Sequence, residues 1–195
     1  IMRVLVLYNP ISGRGKACNM AVEIAQRFLL SPCDVELIQT QVGDPQKWLT
    51  PKLAFKPDAV VVVGGDGTLR QAASVLVGKT IPVFHAGSGT ENLFAKSMNT
   101  NNATPESVAN AVVNGERIEI DTATANGEFL LLMASVGFDA AVELKRLGAC
   151  EIGTRAELTE ATNKTKGWPC MDFTSDDILS PIAAWVAVTV APLIR

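Results

Sequence analysis

The chain has 195 residues, 48% of them hydrophobic, with 17 basic and 20 acidic side chains and a formal net charge of −3. That length holds one large domain, or one domain with part of another. The mild acidity, with no run of basic residues, argues against a nucleic-acid partner and against an electrostatic membrane anchor.

At the amino end, IMRVLVLYNP has a short apolar run with no charged segment before it, so no signal peptide is expected. Ile1 ahead of Met2 suggests ends that are not the natural ones. RVLVLY, Arg3 to Tyr8, reads as a buried strand closed by the turn formers NPISGRG. Ala17, Met20, Ala21, Ile24, Ala25 and Phe28 then follow helical spacing on one face. DVELIQT, Asp34 to Thr40, is a second strand, and PQKWLTPKLAF is helical in part, interrupted at Pro51.

AVVVV, Ala59 to Val63, is apolar on both faces, as a central parallel strand must be. A helix over Leu69 to Val77, a strand over Ile81 to Phe84, and helices in ENLFAKSM and TPESVANAVVNG complete the alternation. Thr104 is the expected N-cap of the last of these. Strands alternating with helices imply a parallel, Rossmann-like sheet with helices on both faces. After Gly115 the pattern changes: RIEIDTATANGEFLLLMASVGFDA reads as two antiparallel strands about an Asn126-Gly127 turn. We therefore expect an α/β domain over residues 1–115 and the start of a second, β-rich lobe over 116–195. Near the far end, IAAWVAVTVAPLI falls short of the roughly 20 residues a membrane-spanning helix needs.

Open parallel sheets bind ligands beyond the carboxyl ends of their strands. Three glycine-bearing segments fall at such ends: NPISGRG, GGDGT and AGSGTEN. Glycines let main-chain N–H groups approach phosphate oxygens, and the helix starting near Thr68 aims its positive end at the same place. Ser12, Thr40, Thr68 and Thr90 can add hydroxyl bonds. Asp66 is the odd member, since a carboxylate repels phosphate. It makes sense if it binds magnesium, orients a donor or takes a proton from a nucleophile.

Asn9-Pro10-x-Ser12-Gly13, the run Gly64 to Thr68, and Gly89-Thr90-Glu91-Asn92 resemble the catalytic domain of diacylglycerol kinases and related lipid kinases. The FAK at Phe94 to Lys96 and SVGFDA at Ser135 to Ala140 fit too, so the resemblance covers about residues 2–147. It implies a two-lobed kinase that uses ATP and Mg2+ to phosphorylate a lipid hydroxyl, in the cytoplasm and in peripheral contact with membrane. Carried over by position, Asn9, Pro10, Ser12, Gly13, Thr40, Gly64, Gly65, Asp66, Gly67, Thr68, Leu69, Arg70, Thr90 and Asn92 line the ATP site. Asp66 is the expected catalytic residue, and Asn92 holds the glycine loop.

Three departures stand out. Relatives often carry Asn-Glu where this chain has Arg70-Gln71, and proline where it has Gly87. Only the first hairpin of the family's β-sandwich lobe is evident, so lipid contacts, metal ligands and the oligomeric state are not legible. Two alternatives stay open, an NAD kinase relative and a nucleotide-binding module without catalysis. Against the first, HAGSGTENLFAK replaces the stretch expected after Ile81.

Other residues have plainer readings. His85 is expected to face the cleft rim or pack locally. Arg14 and Lys16 either screen phosphate charge or are solvated; Asp121 and Asp139 are expected in caps or turns rather than on a metal, and the flanks of the acidic pair Asp176-Asp177 match no motif. Trp168 and Trp185 cover an edge or a groove. Cys18, Cys33, Cys150 and Cys170 form no C-x-x-C pair, so reduced thiols and no zinc are expected.

Overall fold

The computed structural model describes residues 1–125, 128–132, 134–135 and 187–188. Asn126, Gly127, Asp139, Cys150, Trp168, Cys170, Asp176, Asp177 and Trp185 lie outside the described residues. Cα packing divides the chain into two units, Ile1–Leu132 with Ala191–Arg195, and Met133–Val190.

In the first unit, β1 (Met2–Tyr8), β2 (Cys33–Gln39), β3 (Ala59–Gly64) and β4 (Val83–Gly87) form a parallel sheet in the order β2-β1-β3-β4. β1 and β3 occupy the centre because their residues are apolar on both faces: Val4 to Leu7 and Val60 to Val63 are fully buried. Their register pairs Val4 with Ala59 and Tyr8 with Val63, so both strands reach the same edge together. Parallel strands need crossovers, and amphipathic helices supply them.

On one face, α1 (Lys16–Leu29) packs beside α5 (Pro105–Asn114). Ala17, Ala21, Ile24, Phe28 and Val108 bury there against Val4, Val6, Val61, Val63 and Ala86. α3 (Asp66–Leu76) packs on β3 and beside α2 (Pro45–Leu49), which continues into a 3-10 turn over Thr50–Phe55. The switch from α to 3-10 geometry coincides with Pro51, which has no N–H to give. α4 (Leu93–Ser97) is a single short turn after β4.

Two boundaries differ from the sequence expectation. β4 runs Val83–Gly87 rather than Ile81–Phe84, because Pro82 cannot donate; its carbonyl only accepts from the Val60 N–H at 2.9 Å. His85, Ala86 and Gly87 are thereby ladder residues. α3 begins at Asp66, directly after Gly65, and not three residues later.

Of the expected hairpin, β5 (Ala123–Ala125) pairs antiparallel with β6 (Glu128–Leu130), with Ala125 opposite Glu128. The stretch from Arg117 to Ile120 is not a strand, although Ile118 and Ile120 alternate: among the described residues no strand pairs with it. In the second unit β7 (Ala134–Ser135) pairs antiparallel with β8 (Ala187–Val188). Among the described residues no helix is long and apolar enough to cross a membrane.

The α1 face makes a direct prediction. Phe28→Ala removes a fully buried ring and should lower the urea-unfolding free energy by about 3–5 kcal/mol. The adjacent Leu29→Ala, at a position 63% exposed, should stay within about 0.5 kcal/mol of the parent.

Candidate phosphate-binding site

Because β1, β3 and β4 are parallel and in register, the three loops leaving them meet at one edge. The first loop is shaped by Asn9. Its N–H donates to the Val63 carbonyl at 3.1 Å, and its Oδ1 accepts from the Ile11 N–H at 3.2 Å. Its Nδ2 donates to the Thr68 Oγ1 at 3.2 Å, tying the first loop to the second. Pro10 and Ser12 follow, half-buried, and Gly13, Arg14 and Gly15 take φ of 60°, 57° and 89°. This left-handed run is where glycine is favoured.

The loops touch through backbone. A Cβ on Gly13 would run into the Ser88 carbonyl oxygen, and one on Gly89 would lie 2.6 Å from the Gly65 Cα. The Ser88 N–H donates to the Gly64 carbonyl at 2.9 Å. Asn92, at φ 50°, grips Gly89 from both sides: its Oδ1 accepts from the Gly89 N–H at 2.7 Å and its Nδ2 donates to the Gly89 carbonyl at 2.9 Å.

Asp66 joins the second loop to the third. Its two carboxylate oxygens accept from the Leu93 and Phe94 N–H groups at 2.9 and 3.0 Å. Those are the first amides of α4, so Asp66 caps a helix that begins 27 residues further on.

The glycines of GGDGT do different work. A Cβ on Gly64 would meet Thr68 at 2.6 Å, and Gly65 faces Gly89. Nothing lies within 4 Å of a Cβ built on Gly67. Gly67 sits in the first turn of α3, where glycine costs roughly 0.5–1 kcal/mol relative to alanine. Its own fold does not demand it.

Helix caps point the same way. α2 and α5 are closed by their own side chains, Asp44 accepting from the Gln46 N–H at 2.9 Å and Thr104 forming a reciprocal capping box with Ser107. α1 and α3 start from glycines, Gly15 and Gly65, with no side-chain cap. Both positive dipole ends lie beside the loop cluster. The Asp66 and Gly67 N–H groups that open α3 are left unbonded there, while the Lys16 N–H that opens α1 turns back to the Ser12 and Gly13 carbonyls. The open start of α3 is suited to anionic oxygens. Arg14 and Lys16 are exposed next to the first of these ends.

Among the residues expected in the site, the structure gathers Asn9, Ser12, Gly13, Gly64, Gly65, Asp66, Thr68 and Asn92. Thr68 is nearly fully buried, its hydroxyl bonded to Asn9. Thr90 is exposed beside Gly89. Thr40 ends the outer strand β2, its N–H donating to the Tyr8 carbonyl at 2.9 Å. Leu69 is core at 2% exposure, and the Arg70 Nε donates to the Phe129 carbonyl at 3.0 Å. Among the described residues no three His, Cys, Asp or Glu side chains gather to hold a metal.

One residue went unnoticed as a site element. Ser88, between Gly87 and Gly89, has a buried hydroxyl without a hydrogen-bond partner; its place inside a glycine loop was the available signal. Of the two places expected for His85, the cleft rim or local packing, the structure gives the second: it is 2% exposed and packed on Phe94 with ring centroids 5.9 Å apart. Its Nε2 lies 3.0 Å from the Gly64 carbonyl. Burial pushes its pKa below the ordinary histidine value, opposed by the Gly64 bond and the charge of Asp66.

Residues 3–125 match the family model of the diacylglycerol kinase catalytic domain. The chain is similar to a diacylglycerol kinase of Mycobacterium tuberculosis, 33% identical over 148 residues, covering 73% of this chain and 48% of that one. It is also similar to the human mitochondrial acylglycerol kinase, 28% identical over 141 residues, covering 66% of this chain and 33% of that one. The chain thus spans about half or less of these relatives. A crystal structure of a diacylglycerol kinase from Bacillus anthracis superposes with a TM-score of 0.58 at 26% identity, over 73% of this chain and 53% of that one.

His85, the only histidine, makes the site's protonation readable. Because its folded pKa lies below 6.5, the unfolded chain binds more protons just below that pH, and stability falls as pH drops through 6.5. His85→Phe should flatten the melting temperature between neutral and mildly acidic pH relative to the parent. A histidine ring-proton NMR titration with a midpoint at or above 6.5 would contradict this.

Proposed function

The chain belongs to the diacylglycerol kinase catalytic-domain family, and on that premise we propose that its three-loop cradle binds the triphosphate of ATP. In the whole protein, the γ-phosphoryl passes to a lipid hydroxyl, that of a diacylglycerol or a related acylglycerol. One observation carries this reading: Gly67 faces open space in the uncapped first turn of α3. A helix start with no side-chain cap and no Cβ has room for phosphate oxygens against its amides.

The residues divide the labour. The Asp66 and Gly67 N–H groups, at the start of α3, and the amides of the Gly13 to Gly15 turn receive the phosphates. Asn9 and Thr68 fix the spacing of the first two loops through their shared bond, and Asn92 fixes Gly89. Held this way, the donors need no rearrangement as charge shifts toward the leaving oxygen, which is how preorganised amides lower a barrier.

Magnesium fits here as a passenger of the triphosphate, since one carboxylate, Asp66, supplies no closed set of ligands. When bound, it would neutralise charge on the β- and γ-phosphates. Each Asp66 oxygen accepts one amide bond and keeps a lone pair. Asp66 can therefore receive a water of hydrated magnesium or the proton of an incoming hydroxyl while still clasping α4. We assign it the role on which transfer depends.

Gly67→Ala tests the reading. It should stabilise the ligand-free protein by about 0.5–1 kcal/mol, as alanine does in a helix, and yet weaken Mg-ATP binding. In the parent, millimolar Mg-ATP should raise the melting temperature, since ligand held by the native state stabilises it by mass action. No such rise would sink the nucleotide site. With the complete protein, label from radioactive ATP should enter the lipid phase and not NAD; label in NAD would favour the NAD kinase alternative.

A further inference from the structure

β4 carries a single polar side chain, and that side chain is enclosed. The strand's other residues are Val83, Phe84, Ala86 and Gly87, while His85 is buried and packs on Phe94 of α4. Its place is costly. The Nδ1 is buried with no hydrogen-bond partner, and buried polar atoms are nearly always satisfied. An apolar side chain would avoid that cost, so any benefit of the ring comes through its other nitrogen.

That nitrogen, Nε2, lies 3.0 Å from the Gly64 carbonyl oxygen. A carbonyl only accepts, so Nε2 carries the proton and Nδ1 is the bare nitrogen of a neutral ring. Burial, which lowers the pKa of the ring, favours the same neutral form. The Gly64 carbonyl has another donor in the Ser88 N–H, at 2.9 Å. That bond already satisfies the buried oxygen. The histidine bond adds a second hold, and with it a fixed direction.

Direction matters at this peptide. It joins Gly64 to Gly65, and glycines restrict backbone rotation least. A trans peptide is planar, so its N–H points opposite to its carbonyl. With the carbonyl held toward β4 and the third loop, the Gly65 N–H is turned to the other side of β3, where β1 and the first loop lie. A Cβ on Gly65 would lie 4.0 Å from the Ser12 Oγ of that loop. Among the described residues this N–H has no hydrogen-bond partner. It stands directly before the Asp66 and Gly67 amides that open α3.

We propose that His85 is a positioning residue for phosphate binding: by holding the Gly64 carbonyl it aims the Gly65 N–H into the cradle, beside the amides of Asp66 and Gly67. The proposal rests on the nucleotide reading of that cradle and adds to it a residue of the strand interior. His85 acts through the Gly64–Gly65 peptide and touches no phosphate itself.

Two substitutions separate aiming from packing. His85→Leu fills the space and removes both the donor and the orphaned acceptor. It should keep or raise the melting temperature of the ligand-free chain. It should also raise the Mg-ATP dissociation constant about five- to tenfold, the effect of one lost hydrogen bond. His85→Gln keeps an N–H donor at the end of its side chain and should return the constant to within about twofold of the parent. Equal affinity in the parent and His85→Leu, or equal loss in both variants, would overturn the proposal.

The parent chain gives a reading that needs no substitution. With isotope-labelled histidine and glycine, its NMR spectrum should show a neutral ring protonated at Nε2, and Mg-ATP should shift the Gly65 amide together with that of Gly67. A ring protonated at Nδ1, or a Gly65 amide that stays in place while Gly67 moves, refutes the role of His85. Melting curves with Mg-ATP on the same samples keep the two readings apart. If the parent gains no stability, the nucleotide site itself has failed; if the parent and His85→Leu gain equally, only the role of His85 falls.

Discussion

The carboxyl edge of this sheet depends on one clasp, the Asp66 carboxylate on the Leu93 and Phe94 amides. Hydrogen bonds to a charged acceptor contribute about 1.5–3 kcal/mol each, roughly twice a neutral bond. The helix they open has five residues, far too few to persist by itself in water. Without the clasp α4 would have no reason to start where it does. With it, Ala95 is buried beneath the sheet edge, Phe94 reaches His85, and Asn92 is positioned to grip Gly89. The backbones of Gly65 and Gly89 can then lie against each other, and the second and third loops become one surface.

Much of this architecture is legible in the order of residues. β1 and β3 are recoverable because a strand buried on both faces must be apolar throughout, and Val4 to Leu7 and Val60 to Val63 are. The helices on either face follow from period, since the same residues that recur at helical spacing in α1 bury against the sheet. Convergence of the loops follows from parallel strands in register. What sequence spacing cannot carry is partnership across distance. Asp66 reads as a carboxylate out of place beside phosphates until its partners, 27 and 28 residues away, are known.

His85 was expected either at the cleft rim or packed locally, and it packs locally. Which of the two held depended on the end of β4, which lies at Gly87, three residues past the expected Phe84. The longer strand places a titratable ring in the ladder, opposite Val62. Arg70 is a related case. Beside GGDGT it reads as a nucleotide contact, yet its Nε is bonded to the Phe129 carbonyl of β6, whose place next to α3 is a tertiary fact.

The glycine motif supports a narrower conclusion than its composition suggests. Gly64 is required by Thr68 and Gly65 by Gly89, both close approaches within the protein. A chain that bound nothing would still need them, so their presence says little about ligands. Gly67 has no such neighbour and sits where alanine would be better for the helix. The missing caps of α1 and α3 add to it, because α2 and α5 show that this same chain closes its helices with side chains elsewhere. One open helix start and one unforced glycine within it, at the edge that Asp66 holds together, are costs that the fold alone does not explain. A bound anion would offset both at once.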